Sequence, residues 1–317
     1  MAHDSASAIY TAAAANLAVA AVKLTAGGLT GSAAMLAEGA HSVVDTANQF
    51  FLFLGLKRST RPPDERHPFG YGREIFFYGF VVAILMFSGG GVFAIYHGVE
   101  HVMQPVVEPD TTIAGLTLPG YAINLGVIGV ATVLETYSCW VALRAFRTRH
   151  DNPSFFQALV SSKDPSIFVV LIEDLAALVG LLIAAAGIGL STALGAPVLD
   201  GCASIAIGVM LLAVTVFLMR ETHALLIGEA ADPALMKFIE EALRGNPHVH
   251  RVHEILTQHL GPADVLINVS VDFDDEVTAG EVERMIAELE RRLRAAFPKV
   301  GRVFVKPQSS NTARSDD

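Results

Sequence analysis

Six stretches of this chain stay apolar for about 20 residues or more, near 6–27, 32–56, 74–98, 121–146, 166–189 and 199–219. Runs of that length match the hydrocarbon thickness of a bilayer, where a helix survives because it satisfies its own backbone hydrogen bonds. They predict an all-α, six-helix transmembrane domain ending near Arg220. The composition agrees, since 52% hydrophobic residues over 317 positions is too apolar for an ordinary soluble enzyme. Lys57, Arg58, Arg61, Arg66 and Arg73 follow the second run, and Arg144, Arg147, Arg149 and Lys163 follow the fourth. The connections after the first, third and fifth runs carry no Lys or Arg. That alternation places both termini in the cytoplasm and makes the protein a multi-pass resident of a cytoplasmic (inner) membrane. The N-terminus lacks the basic segment and small-residue cleavage site of a secretory signal, so the first run is expected to remain as a helix.

Punctuation divides the runs. Gly27, Gly28 and Gly31 mark a tight turn between the first two, and Pro62, Pro63 and Pro68 break helix in the next connection. Ser88-Gly89-Gly90-Gly91 lies inside the third run, where small residues allow a neighbouring helix to approach or the helix to bend. Cys139 and Cys202 fall in different runs, near opposite membrane faces by this topology, and read as packing residues.

From Ala231 charges appear throughout, and apolar residues take helical spacing in ADPALMKFIEEALRG. Two alternating runs follow, His250–His259 and Val265–Phe273, then a charged helix over 279–297 and a strand over 302–306. The order αββαβ predicts a small ferredoxin-like α/β domain. The expected division is a six-span transmembrane domain at 1–220, a cytoplasmic domain at 221–308 and a disordered tail at 309–317. Acidic residues crowd this last third, and no basic patch suited to nucleic acid is visible.

Within the second run, AEGAHSVVDTANQ spaces Glu38, His41, Asp45 and Asn48 three or four residues apart, on one helical face. Counting in from each membrane face, Asp45, Glu135, Glu173 and Asp174 share one depth near the midplane. Each charge there costs about 2.5–3.5 kcal/mol on insertion scales, so several carboxylates without a matching intramembrane arginine call for a bound cation. One imidazole with carboxylates and no nearby thiolate suits zinc, manganese, iron or cobalt, and His41 tilts the choice to zinc. Glu173 and Asp174 are adjacent, so about 100° separates them and one alone faces the ion squarely. His97 and His101, four residues apart at the end of the third run, form a candidate exit-side pair with Glu100.

These residues resemble the cation diffusion facilitator family, dimeric six-span exporters that exchange divalent metals for protons. The stretches carrying the resemblance are AHSVVDTANQ, PPDERHPFGYGRE, the EDLAALVG of the fifth run, LDGCASIAIG and LLIGEAAD. The resemblance implies a metal site of His41, Asp45 and Asp174, with Glu173 beside them; Glu135 is the further carboxylate at that depth. Val170 stands where zinc carriers of the family place a histidine, and the Glu-Asp pair marks a distinct branch. Such an oxygen-rich set leaves manganese, iron(II) and cobalt open as substrates. Asp64 and His67 match the family's loop site, with Tyr71 in place of a second histidine. In the cytoplasmic domain His253 matches one ligand of a regulatory cluster, while Ser270, Phe304 and Lys306 replace the others.

The reading is a homodimeric zinc/proton antiporter embedded in lipid, with Zn2+ as transported substrate. A non-transporting membrane sensor of the same architecture is the alternative. An intramembrane hydrolase is disfavoured, because no HExxH helix or nucleophile-and-base pair accompanies the stripe.

Overall fold

The structure, a computed structural model, describes residues 2–113, 116–147 and 165–309. These form two compact units, one built from the chain up to Leu56 with Phe77–Thr222, the other from Lys57–Phe76 with the chain from His223 onward.

The first unit is helical. Helices α1 (Ala2–Thr30) and α2 (Ala33–Ser59) are joined by Gly31, whose φ of 74° belongs to the left-handed region that glycine enters freely. The third apolar run is α3 (Glu74–Leu85), a π-helix over Met86–Val92, and α4 (Phe93–Met103). A short hairpin of β1 (Thr111–Ile113) and β2 (Leu116–Leu118) leads to α5 (Gly120–Arg147), and α6 (Pro165–Leu194) and α7 (Val198–Ile227) complete the bundle. Among the described residues four helices are long and apolar enough to cross a membrane: Glu74–Met103, Gly120–Arg144, Phe168–Leu194 and Val198–Ile227. Helix α2 has the length, but its mean hydropathy is lowered by the polar stripe and by Lys57 and Arg58. Arg149 and Lys163, two of the basic residues that set the expected orientation, lie outside the described residues, as does the tail beyond Ser309.

Packing explains the glycines. A Cβ on Gly98 would come 2.8 Å from the Gly201 carbonyl, and one on Gly208 would come 2.8 Å from that of Gly91. So the third run and α7 touch backbone to backbone at two places one heptad apart, as small residues permit between membrane helices. Ser204 Oγ seals the contact by donating to the Ala94 carbonyl at 2.8 Å. The glycine-rich segment is thus both a close-packing face and a π-helix, a distortion frequent at functional sites. On its other side Gly89 packs on Val44 of α2, the residue before Asp45.

In the second unit α8 (Pro233–Arg244) starts with Asp232 accepting from Ala234 N and Pro233 at the first helical position. Strands β3 (Val249–Gly261) and β4 (Asp264–Phe273) pair antiparallel, α9 (Ala279–Ala296) opens with a Thr278/Glu281 capping box, and β5 (Val300–Pro307) returns parallel to β4. The sheet order β3-β4-β5 buries Val265, Ile267, Val269 and Val271 against Leu235, Ile239 and Leu243 of α8 and Leu289 and Leu293 of α9. The segment 57–76 packs with this unit: Arg302 donates to the Pro68 carbonyl at 3.0 Å and lies over the Phe69 ring. Gly72 meets the β3–β4 turn so closely that a Cβ would strike the Leu260 carbonyl.

Candidate metal centre

The stripe on α2 faces inward. Glu38, His41 and Asn48 are fully buried, and Asp45 is half-buried. His41 Nδ1 and Asp45 Oδ1 stand 3.4 Å apart, within the reach of two side chains four residues apart on one helical face. Asp45 also faces Glu173, Glu135 and Asp174 within electrostatic range. The adjacent acids of α6 diverge as helix geometry requires. Glu173 Oε1 turns to α2 and accepts from Asn48 Nδ2 at 2.8 Å, while Asp174 Oδ2 turns to α5 and accepts from Ser138 Oγ at 3.0 Å.

The stripe is rich in buried atoms without a partner. Both ring nitrogens of His41, Asp45 Oδ1, Asn48 Oδ1 and Glu38 Oε1 make no hydrogen bond. Such atoms cost about 1–3 kcal/mol each when buried unsatisfied, so a line of them on one face needs a ligand to offset it. Among the described residues no three His, Cys, Asp or Glu side chains already converge on one point in this conformation. The donors therefore lie within electrostatic range of one another without closing on one point.

A residue that hydropathy passes over changes the charge balance. Lys23 of α1 is fully buried, with Nζ donating to Ser42 Oγ at 2.9 Å and Glu38 Oε2 at 3.3 Å, and standing 3.9 Å from Glu135 Oε1. The intramembrane acids, expected to lack a matching arginine, have a lysine instead: Lys23 supplies one positive charge, because the first run is apolar enough to carry a single lysine without losing its helical length. Glu135 accordingly has an ammonium as its neighbour. Glu38 is pinned from the opposite side, its Oε1 occupying the space where Gly180 of α6 lacks a Cβ.

The histidines ending the third run have different partners. His97 Nδ1 lies 3.4 Å from Glu100 and its ring packs on Phe93, whereas buried His101 turns toward Asp200 at 3.7 Å. Asp200 accepts from Ser32 Oγ at 2.8 Å and from Ala33 N at 2.6 Å, so a carboxylate from α7 caps the start of α2. Glu108, in the connection after α4, accepts from Asn124 Nδ2 at 3.1 Å; its carboxyl is pushed up to about 7 by partial burial first and by the Asp200 charge second, against the Asn124 hydrogen bond. Asp200, Glu108 and Lys23 are polar groups that the sequence reading does not single out; for Lys23 the available signal is a lone charge inside an apolar run.

The loop pair Asp64 and His67 is brought together, but its oxygens are already engaged. Asp64 accepts from His67 N at 2.7 Å, Arg66 N at 3.0 Å and Tyr71 Oη at 2.6 Å, and the His67 and Tyr71 rings meet at 4.3 Å, tilted by 38°. The Tyr71 hydrogen bond, then that of the His67 backbone, holds the exposed Asp64 carboxyl below the usual range. In the sheet domain Gln308 occupies the candidate regulatory residues, its carbonyl 3.1 Å from His253 Nε2 and its Oε1 accepting from Ser270 Oγ at 2.9 Å. Phe304 and Lys306 point outward. Cys139 and Cys202 are both free thiols.

Four apolar helices of membrane length, a buried carboxylate and imidazole stripe, and a small αββαβ domain after them define a multi-pass membrane protein. The cation efflux transmembrane domain matches residues 9–227 and the cytoplasmic domain of cation efflux proteins matches 231–307. The chain belongs to the cation efflux, or cation diffusion facilitator, family. It is 34% identical over 257 residues to the mitochondrial proton-coupled zinc antiporter SLC30A9 of Xenopus laevis, covering 80% of this chain and 44% of that protein. The human protein of that name is 33% identical over 78% of this chain and 42% of its own length. Metal tolerance protein C4 of Arabidopsis thaliana is 30% identical over 77% of this chain and 51% of its own. The chain thus spans about half the length, or less, of these relatives.

Proposed function

We propose that this protein is a six-span, homodimeric exporter that moves zinc out of the cytoplasm in exchange for protons. The metal binds among His41, Asp45, Glu173 and Asp174, with Glu135 within reach, and the bundle alternates access to it from either side. The observation that carries the reading is the line of unpartnered buried donors on α2 opposite two carboxylates of α6. Metal and proton compete for the same imidazole and carboxylates, so loading metal ejects protons and an inward proton gradient drives efflux. Both termini lie on the cytoplasmic side of a bacterial-type inner membrane, and the αββαβ domain holds the dimer together.

The donor set is rich in oxygen, which admits manganese or iron(II) as a competing substrate. Purified protein in sealed vesicles, supplied side by side with zinc, manganese, iron(II) and cobalt under an imposed pH gradient, tests transport and selectivity together. Zinc movement that requires the gradient supports the proposal. Binding without movement would make the protein a sensor.

A further inference from the structure

We propose that Lys23 is a built-in counter-cation of the metal centre, which holds Glu135 while the site is empty and yields it to an arriving divalent ion. This inference rests on the metal-site reading above. A buried ammonium survives only among compensating oxygens, and Lys23 has three around it: Ser42 Oγ at 2.9 Å, Glu38 Oε2 at 3.3 Å and Glu135 Oε1 at 3.9 Å.

The two carboxylates are not equivalent. Glu38 hydrogen-bonds to the ammonium and is wedged against Gly180, so it has no room to leave. Glu135 comes from a different helix, is partly exposed, and stands beyond hydrogen-bond distance. It is the mobile member. It also faces Asp45, the centre of the candidate site. A divalent ion attracts that carboxylate about twice as strongly as an ammonium at equal separation and dielectric. When Glu135 moves to the metal, Lys23 keeps Glu38 and Ser42 and is not stranded.

The consequence is a site whose affinity is moderated by a fixed positive charge. A carrier must hold its ion firmly enough to load and loosely enough to release it on the far side, as in multi-ion conduction. Lys23 is thus a positioning residue that acts through Glu135 and needs no change in its own protonation.

The test is zinc affinity of the purified full chain by titration calorimetry, with turnover measured in vesicles. Lys23→Met is expected to tighten zinc binding by about 10-fold or more, to lower turnover at saturating zinc, and to have no effect on affinity in a Glu135→Gln background. Lys23→Arg, which keeps the charge, should restore both values toward wild type. A lysine that serves structure alone predicts equal or weaker binding in Lys23→Met, and that result overturns the proposal. Should the single variant fail to fold, Lys23→Met/Glu38→Gln is compared with Glu38→Gln, where tighter zinc binding in the double variant is again required. Asp45→Ala separates the two readings. If it retains wild-type zinc affinity, the site itself is misplaced; if it loses zinc while Lys23→Met leaves affinity unchanged, only the role of Lys23 falls.

Discussion

At the scale of single residues, the proposed centre gathers buried polar atoms that make no hydrogen bond within the chain. Asp45 has an oxygen that makes no hydrogen bond and three other carboxylates in range, so removing it relieves repulsion. Asp45→Ala is therefore expected to express and dimerise normally while transport in vesicles falls to background; transport at the wild-type rate would refute the site. Asn48 has a subtler part, since its amide orients Glu173 toward α2 at 2.8 Å. Asn48→Leu leaves that carboxylate without a donor, at a cost of roughly 1–3 kcal/mol. A rise of about 10-fold or more in the zinc KM, with folding retained on size exclusion, is the expected result. The divergence of Glu173 and Asp174 also explains why their order along the chain could be read in advance but not their partners: the angular step of a helix is fixed, whereas Asn48 and Ser138 are chosen by the helices packed alongside.

At the scale of elements, one end of the bundle is tied by polar contacts between chain segments far apart in sequence. Asp200 of α7 caps α2, His101 of α4 approaches Asp200, and Asn124 of α5 bonds both Thr30 of α1 and Glu108. The Glu108 carboxyl, at about 7, lies above its ordinary value of 4.5. A group raised in the folded state binds its proton more tightly there, so its contribution to stability is fully present below about 4.5 and is lost as pH rises through about 7. Glu108 is only partly buried, so solvent screening keeps the effect local. Hydrogen exchange in the connection from Gln104 to Leu118 should accelerate between about pH 6 and pH 8 beyond the intrinsic chemical increase, and Glu108→Gln should abolish the excess. An unchanged profile in the variant would assign the effect elsewhere.

At the scale of the whole molecule, the compact division does not follow the order of the chain. The loop 57–76 belongs with the sheet domain, fastened by Arg302 to Pro68 and by Gly72 to the β3–β4 turn. Within the same unit Lys306 points outward from β5, and Gln308 occupies His253 and Ser270. Lys306→Ala is therefore expected to leave zinc transport and bound-metal content of the protein within about a factor of two, measured on the same vesicle preparation; a marked loss of bound metal would place a regulatory ion in this domain.

The sequence by itself determined the features that depend on local periodicity. Apolar length predicts the helices, alternation predicts β3 and β4, and three- and four-residue spacing puts Glu38, His41, Asp45 and Asn48 on one face. The structure extends those helices at their ends, as α7 running to Ile227 shows, because hydropathy reports where the lipid stops and not where the hydrogen bonds do. Tertiary structure alone decided what those faces meet. Lys23 is 15 residues from Glu38 in sequence and is the single Lys or Arg of its helix. Asp200 reaches α2 across 167 residues. A charge inside a membrane helix announces that it must be compensated, but which partner compensates it depends on how the helices pack, and that is set by glycine contacts such as Gly98 on Gly201 and Gly180 on Glu38.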